Sequence, residues 1–484
     1  MEVQGISKDQ VVKNSFWKFC ESIGVQLVQL VVTIILARIL SPEDYGLMAI
    51  VLVVVNFLGL FVSSSISTYL VYLKETQKQD IFTALIVNSL LAVLLLLVLF
   101  FAAGTIADYY ETPQLKPLIR VMALVLPFNA VSAIYNSYAI KMSLHKKLFL
   151  RNLIAIPISG AVALTCAFCG WGVWAMVTQQ VVYSVLLAVI IVLTIKITVD
   201  GEWKMNPKVI FPMLRYGGFT FLASVIAFIG DNLYDLIIGK RINSEQLGFY
   251  NRGNAFPNMI SNVMNNVLVG VFFPAFASYN SNFIELKDKY RKTLRLLYYI
   301  VLPLFFGLIV CAQPLVLSLL TEKWRSSIRI IQIVCLYFCA IPFLQASSQL
   351  SLAVGAVRIR TVGEVFKMIV SISLLFATVK HGIIAVAFGR VGVALAVVLF
   401  TVIVNRIIVK YRIREFLSDL LGPFLLALLM AVCIYPLVYL PWSNLVILIV
   451  QVLLGATVYL GAAKLFRIKE LTVVEEMVRS KFRK

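Results

Sequence analysis

Residues Gly230 to Pro257 read GDNLYDLIIGKRINSEQLGFYNRGNAFP, and the fold of the chain turns on them. The stretch closes one apolar segment of spanning length, Phe211 to Gly239, and opens the next. Asp231 and Asp235 stand one helical turn apart within it. Acids at the centre of a membrane helix cost about 2.5–3.5 kcal/mol each on insertion scales, so they face protein or water, and at that depth they are functional candidates. At about 1.5 Å per residue, Asp231 lies roughly 15 Å from the basic end at Lys240 and Arg241, near mid-membrane, with Asp235 closer to the surface.

Beyond the short turn, Asn251, Asn254, Asn258, Asn262 and Asn265 recur at spacings of 3, 4, 4 and 3, with Arg252 beside the first two. That spacing draws a polar stripe along one helix. In a membrane the stripe either lines a hydrated cavity or glues helices together, and its company with Arg252 and Asp231 favours the cavity.

The remainder of the composition agrees. Of 484 residues, 61% are hydrophobic and 14% charged, with a mean hydropathy of +0.93, which describes an all-α polytopic membrane protein. A net charge of +20 would point to nucleic acid in a soluble chain; here it asks which loops are basic, and no nucleic-acid partner is expected. The seven cysteines lie in or beside apolar segments, where they act as small hydrophobes. Cys166 and Cys169 form a C-x-x-C with no second pair, and His145 and His381 are far apart, so neither a metal nor a cofactor is expected. The first apolar segment is long and lacks a small-residue cleavage motif, which reads as a retained helix.

Fourteen apolar segments follow one another, from 15–40 to 444–463, with 211–239 and 247–278 as the seventh and eighth. Backbone groups in lipid must bond internally, so these are helices. With the N-terminus inside, alternate loops hold 32 of the 43 basic residues on the cytoplasmic side and 10 outside, Arg390 falling within a span. That bias places both termini in the cytoplasm.

The chain repeats itself. Arg38-Ile39-Leu40-Ser41, leading to Gly46, recurs as Arg241-Ile242-Asn243-Ser244, leading to Gly248, at an offset of 203 that becomes 202 after one deletion. Gly172-Val173-Trp174-Ala175 recurs as Gly382-Ile383-Ile384-Ala385 at an offset of 210. Equivalent turns with equivalent sidedness imply two parallel six-helix bundles, 1–200 and 201–412, with helices 13 and 14 and a basic tail in 413–484. Parallel repeats with substrate at their interface are transporter architecture. No P-loop, G-x-G-x-x-G, H-E-x-x-H or G-x-S-x-G is present, and the outer loops are too short for the platform that a membrane glycan polymerase or ligase needs.

Helix 1 carries its own stripe, Lys18, Ser22, Gln26, Gln29 and Thr33, with Glu21 adjoining. At offset 210, Gln179 and Gln180 align with Gly389 and Arg390, and Arg390 sits about 12 Å from the outer end of helix 12. Bases and amides, namely Arg252, Arg390, Asn254, Asn258, Asn262, Lys18, Gln26 and Gln29, suit a phosphate-bearing, hydroxyl-rich ligand. The acids Asp231, Asp235 and Glu21 suit a coupling H+ or Na+. Prolines at 127, 257, 274, 303, 314 and 342 offer kinks where bundles bend.

At Leu36 to Ala49 (LARILSPEDYGLMA), the D-x-x-x-D and LGFYNR of the opening stretch, Phe272 to Ser278 (FFPAFAS) and Gly170 to Val177 (GWGVWAMV), the chain resembles the Wzx-type polysaccharide flippases of the multidrug/oligosaccharidyl-lipid/polysaccharide exporter superfamily. The resemblance implies a MATE-like fold that moves undecaprenyl-diphosphate-linked oligosaccharide across the bacterial inner membrane by alternating access, beside a polysaccharide polymerase and glycosyltransferases. It implies Asp231 as the cavity acid and Arg252 as the basic residue of the Y-x-R turn. A peptidoglycan lipid precursor flippase, whose first-helix basic-acidic couple is at best approximated by Lys18 and Glu21, and a multidrug/cation antiporter of the same fold are the alternatives.

Overall fold

The computed structural model describes residues 24, 26, 28–64, 66–73, 76–142, 144–267, 283–466, 468, 470 and 471. Among them the regular structure is helical throughout. In chain order the helices are α1 (Val28–Ile39), α2 (Pro42–Ser64), α3 (Ile66–Tyr72), α4 (Lys78–Tyr109), α5 (Leu115–Met122), α6 (Val125–Lys141), α7 (His145–Phe168), α8 (Trp174–Thr194), α9 (Pro207–Arg241) and α10 (Ser244–Val267). They continue as α11 (Phe283–Leu315), α12 (Arg325–Ala353), α13 (Val357–Val379), α14 (Ile383–Val409), α15 (Ile413–Ile434) and α16 (Asn444–Leu465).

Eleven helical stretches among the described residues are long and apolar enough to cross a membrane. The other three expected spans correspond to α1, α9 and α10. Too little of the first is described to reach spanning length. α9 interrupts its apolar run with Asp231, Asn232 and Asp235, and α10 carries the asparagines and Arg252. The large apolar side chains left outward, such as Phe101 and Leu193 at 74% exposure, are what lipid-facing helices present, because hydrocarbon takes the place of a core there. The chain is a multi-pass membrane protein.

Two compact units divide the chain, Met1–Gly248 and Phe249–Lys484. In the first, α4 and α8 pack on α6, α7 packs on α8, and α9 lies along α2. Ile66, Leu70, Ile81, Ile134, Tyr138, Leu148, Ile191 and Met213 gather six of its helices into one core. The fourth span is broken into α5 and α6 three residues before Pro127, whose missing N–H leaves the Ala123 carbonyl without its helical partner. In the second unit, α12 packs on α11 and α14, α13 on α14, and α15 and α16 lie against α11.

Loop contacts sort the ends of each unit. In the first, Lys240 at the end of α9 pairs with Glu111 at 2.7 Å and the Tyr110 hydroxyl donates to the Leu236 carbonyl. At the opposite end, the Lys78 amide donates to the Asp200 carbonyl at 3.0 Å and Lys147 to the Thr194 carbonyl at 2.9 Å. Successive turns therefore alternate between two ends, as spanning helices require. In the second unit one end is held by a buried carboxylate: Asp419 on α15 accepts from Arg291 Nε (2.8 Å) and Nη2 (2.9 Å), Arg295 Nε (2.8 Å) and the Tyr411 hydroxyl (3.0 Å).

The repeated turns form alike. Ser41 Oγ accepts from the Asp44 amide at 3.1 Å and opens α2, while the Ser41 amide donates to Asp44 Oδ2 at 2.9 Å, completing a capping box. Asn243 Oδ1 accepts from the Gln246 amide at 2.8 Å and opens α10. Ser41 and Asn243 thus hold the same cap position, so the 202 offset already applies at the cap. The sequence match of Ser41 with Ser244 is off by that one residue.

Candidate functional site

Arg390 lies on α14, one turn and more inside a span, and glycines bring helices close on either side of it. Gly389 lets α13 approach so closely that a Cβ there would stand 2.9 Å from Thr378 Oγ1. Gly253 does the same between α10 and α12, where a Cβ would lie 2.5 Å from Ile330 Cγ2. Arg390 Nη1 donates to Asn254 Oδ1 at 2.8 Å and to the Tyr250 hydroxyl at 3.0 Å, both on α10. Its guanidinium stacks over the Tyr337 ring, 4.5 Å from the centroid, with Phe338 at 5.8 Å. Asn254 is itself fixed, since its Nδ2 donates to the Tyr250 carbonyl at 2.8 Å and so turns Oδ1 toward the arginine. The start of α10 is held by Ser327 Oγ, which donates to the Phe249 carbonyl at 3.0 Å, and by Trp324 edge-on to Phe249.

The stripe beyond changes character along α10. Asn254 is buried against Arg390, Asn251 and Asn265 are half-buried, and Asn258 and Asn262 are exposed. An exposed amide on a membrane helix is costly in hydrocarbon and tolerable in water, so Asn258 and Asn262 suit a hydrated surface better than a lipid-facing one. Arg252 is half-buried and, about 200° round the helix from both Tyr250 and Asn254, belongs to another face of α10. The structure therefore brings Arg390 and Asn254 together and leaves Arg252 apart from them.

In the first unit, Gln26, two residues before α1, is half-buried, with its Oε1 enclosed and without a hydrogen-bond partner among the described residues, and Gln29 on α1 is exposed. Asp235 on α9 is half-buried. Lys18 and Glu21 lie outside the described residues, as do the side chain of Asp231 and the stretch from Phe272 to Ser278. α9 itself is well anchored. Phe228 and Phe221 meet Phe57 and Phe61 of α2 at centroid distances of 5.9 and 4.1 Å, and its far end is tied down at Glu111. The Lys240 ammonium, hydrogen-bonded to Glu111, holds that carboxyl below its ordinary range, and burial pushes the neighbouring Tyr110 hydroxyl up to about 12.

Sequence reasoning passed over Tyr250 and Tyr337 as ligands of the arginine. Tyr250 stands in the LGFYNR motif, where only the basic residue drew attention, and Tyr337 has the spacing of a core aromatic.

The chain matches the family model described as polysaccharide biosynthesis protein over residues 35–329. It is 24% identical over 334 residues to the succinoglycan biosynthesis transport protein ExoT of Rhizobium meliloti (strain 1021), covering 66% of this chain and 64% of ExoT, just under two thirds of that relative. It is 24% identical over 437 residues to the lipopolysaccharide biosynthesis protein WzxC of Escherichia coli (strain K12), covering 87% of this chain and 86% of WzxC. Among solved structures it is similar to the lipid II flippase MurJ in an inward closed conformation, with a TM-score of 0.74, 17% identity, and coverage of 94% of this chain and 99% of MurJ. At that identity the likeness concerns the fold.

Proposed function

The chain belongs to the polysaccharide biosynthesis protein family, and from that premise we propose that it flips undecaprenyl-diphosphate-linked oligosaccharide units outward across the bacterial inner membrane for surface polysaccharide assembly. The observation that carries this reading is the arginine within a span: Arg390 is aimed by its hydrogen bonds to the Tyr250 hydroxyl and Asn254 Oδ1 on a neighbouring helix. A diphosphate offers paired oxygens to a planar fork, and the exposed amides Asn258 and Asn262 continue along the same helix with groups that both donate to and accept from sugar hydroxyls. The relatives named for succinoglycan and lipopolysaccharide biosynthesis support a polysaccharide substrate over a small drug.

In this reading fourteen helices cross the membrane with both termini cytoplasmic. Bundles 1–200 and 201–412 alternate about a central cleft, and helices 13 and 14 of 413–484 flank it. The protein works as a transporter, its substrate delivered by glycosyltransferases and its product taken by a polymerase. Arg252, Lys18, Gln26 and Gln29 supply further donors, and Asp231, Asp235 and Glu21 take a proton or sodium ion whose release permits the bundles to move.

The test is flipping in reconstituted vesicles, with an undecaprenyl-diphosphate oligosaccharide and with lipid II, each with and without a proton or sodium gradient. Preferred transport of the oligosaccharide, lost in Arg390→Ala and only partly restored in Arg390→Lys, is the expected result. Transport of lipid II alone would move the chain to the peptidoglycan branch. An Asp231→Asn variant that still responds to the gradient like the parent would remove that acid from coupling.

A further inference from the structure

The two copies of the internal repeat touch each other, and they do so reciprocally. A Cβ at Gly46, on the first turns of α2, would fall 1.7 Å from the Ser244 carbonyl oxygen at the start of α10. A Cβ at Gly248, on the first turns of α10, would fall 1.8 Å from the Pro42 carbonyl oxygen at the start of α2. Pro42 and Ser244 are equivalent under the 202 offset, and so are Gly46 and Gly248. Each glycine thus rests on the first-turn carbonyl of the other copy, the pattern of an exchange-symmetric contact. No side chain fits between them, and nothing interlocks.

Their surroundings fix the two helix starts rigidly and independently. Ser41 and Asp44 close a capping box on α2, and Asn243 caps α10. Gly172 comes up beside the same turn, where a Cβ would stand 3.4 Å from Asp44 Oδ1. Two capped, stiff helix ends that meet only through glycine methylenes and carbonyl oxygens hold each other by weak C–H···O contacts and close packing. Such a contact makes and breaks without unpacking either helix. By contrast, Gly59 farther along α2 has nothing within 4 Å of where its Cβ would lie, so the close approach belongs to this place and not to glycine in general.

We propose that Gly46 and Gly248 form a reciprocal backbone latch that closes the outer end of the transport path when α2 and α10 meet, and that its parting opens that end. The inference rests on the transporter reading for its purpose, and on the placement of this end outside by the distribution of basic residues. Its geometry predicts that any side chain at either glycine holds the helix starts apart.

The experiment uses the full chain in vesicles, with its own cysteines replaced and a cysteine pair introduced at Glu43 and Glu245, both exposed on the same two first turns. The parent pair should cross-link, Gly46→Ala and Gly248→Ala should each lose most of that cross-linking, and Gly59→Ala should keep it. If the alanine variants assemble poorly, the parent pair alone still decides: oxidation should arrest flipping and reduction should restore it. Unchanged cross-linking in both alanine variants, or flipping that continues with the disulfide closed, would overturn the latch. Loss of cross-linking in the variants of a protein that flips none of the lipids offered would keep the latch and reject the substrate reading.

Discussion

Asn254 and Arg390 are 136 residues apart in sequence, yet the asparagine Oδ1 accepts from the arginine Nη1 at 2.8 Å, and the amide is oriented for this by its own bond to the Tyr250 carbonyl. In the proposed transport role this pair presents the guanidinium to the substrate's diphosphate.

Asn254→Asp should therefore inactivate without unfolding. A carboxylate at that position would hold Arg390 by an ion pair and compete with the substrate's phosphates for its guanidinium, so flipping should fall by about tenfold or more while membrane levels hold. Asn254→Ala should remove one hydrogen bond to a charged group, about 1.5–3 kcal/mol, and loosen the arginine. Transport of fluorescent lipid-linked oligosaccharide, set against melting in detergent, separates the two.

Asp419 is 2% exposed and receives two arginines and a tyrosine hydroxyl. Replacing it with Asn should destabilise the second unit by about 3 kcal/mol, the low end for breaking a buried pair, because Arg291 and Arg295 remain partly exposed. Neutralising both arginines together with Asp419 should recover part of the loss. Thermal unfolding of the single and combined variants measures this, and additive losses would place the stabilisation elsewhere.

The Glu111–Lys240 pair predicts a pH response at the end of α9. Its carboxyl is depressed in the folded state, so the contact contributes fully above the ordinary carboxylate value of about 4.3 and is lost as pH falls through the lower folded value. Hydrogen exchange at Leu236 to Lys240 should therefore rise on acidification below that range. Glu111→Gln should show the raised exchange at neutral pH already and little further change with acid.

Sidedness has its own test. Lys289 is exposed on α11, at the end of the second unit that also holds Arg291 and Asp419. A cysteine placed there should resist a membrane-impermeant thiol reagent in intact cells and react after permeabilisation. Labelling in intact cells would invert the orientation.

The sequence by itself determined that this is a helical membrane protein, because hydrocarbon forces each span to satisfy its own backbone and to show lipid an apolar surface, which makes spans legible from local composition. It also disclosed the turns at Arg38 and Arg241, since caps and glycines are local requirements. Only the tertiary structure decided which polar groups meet. Arg390 meets Asn254, Tyr250 and Tyr337, and Asp419 meets Arg291 and Arg295, through contacts between helices from about fifty to 140 residues apart in sequence. A periodic stripe states which face of a helix is polar, but not what stands opposite. For that reason Arg252, adjacent in sequence to the asparagines, turns away from Asn254, while Tyr337, which reads as core, lies under the arginine.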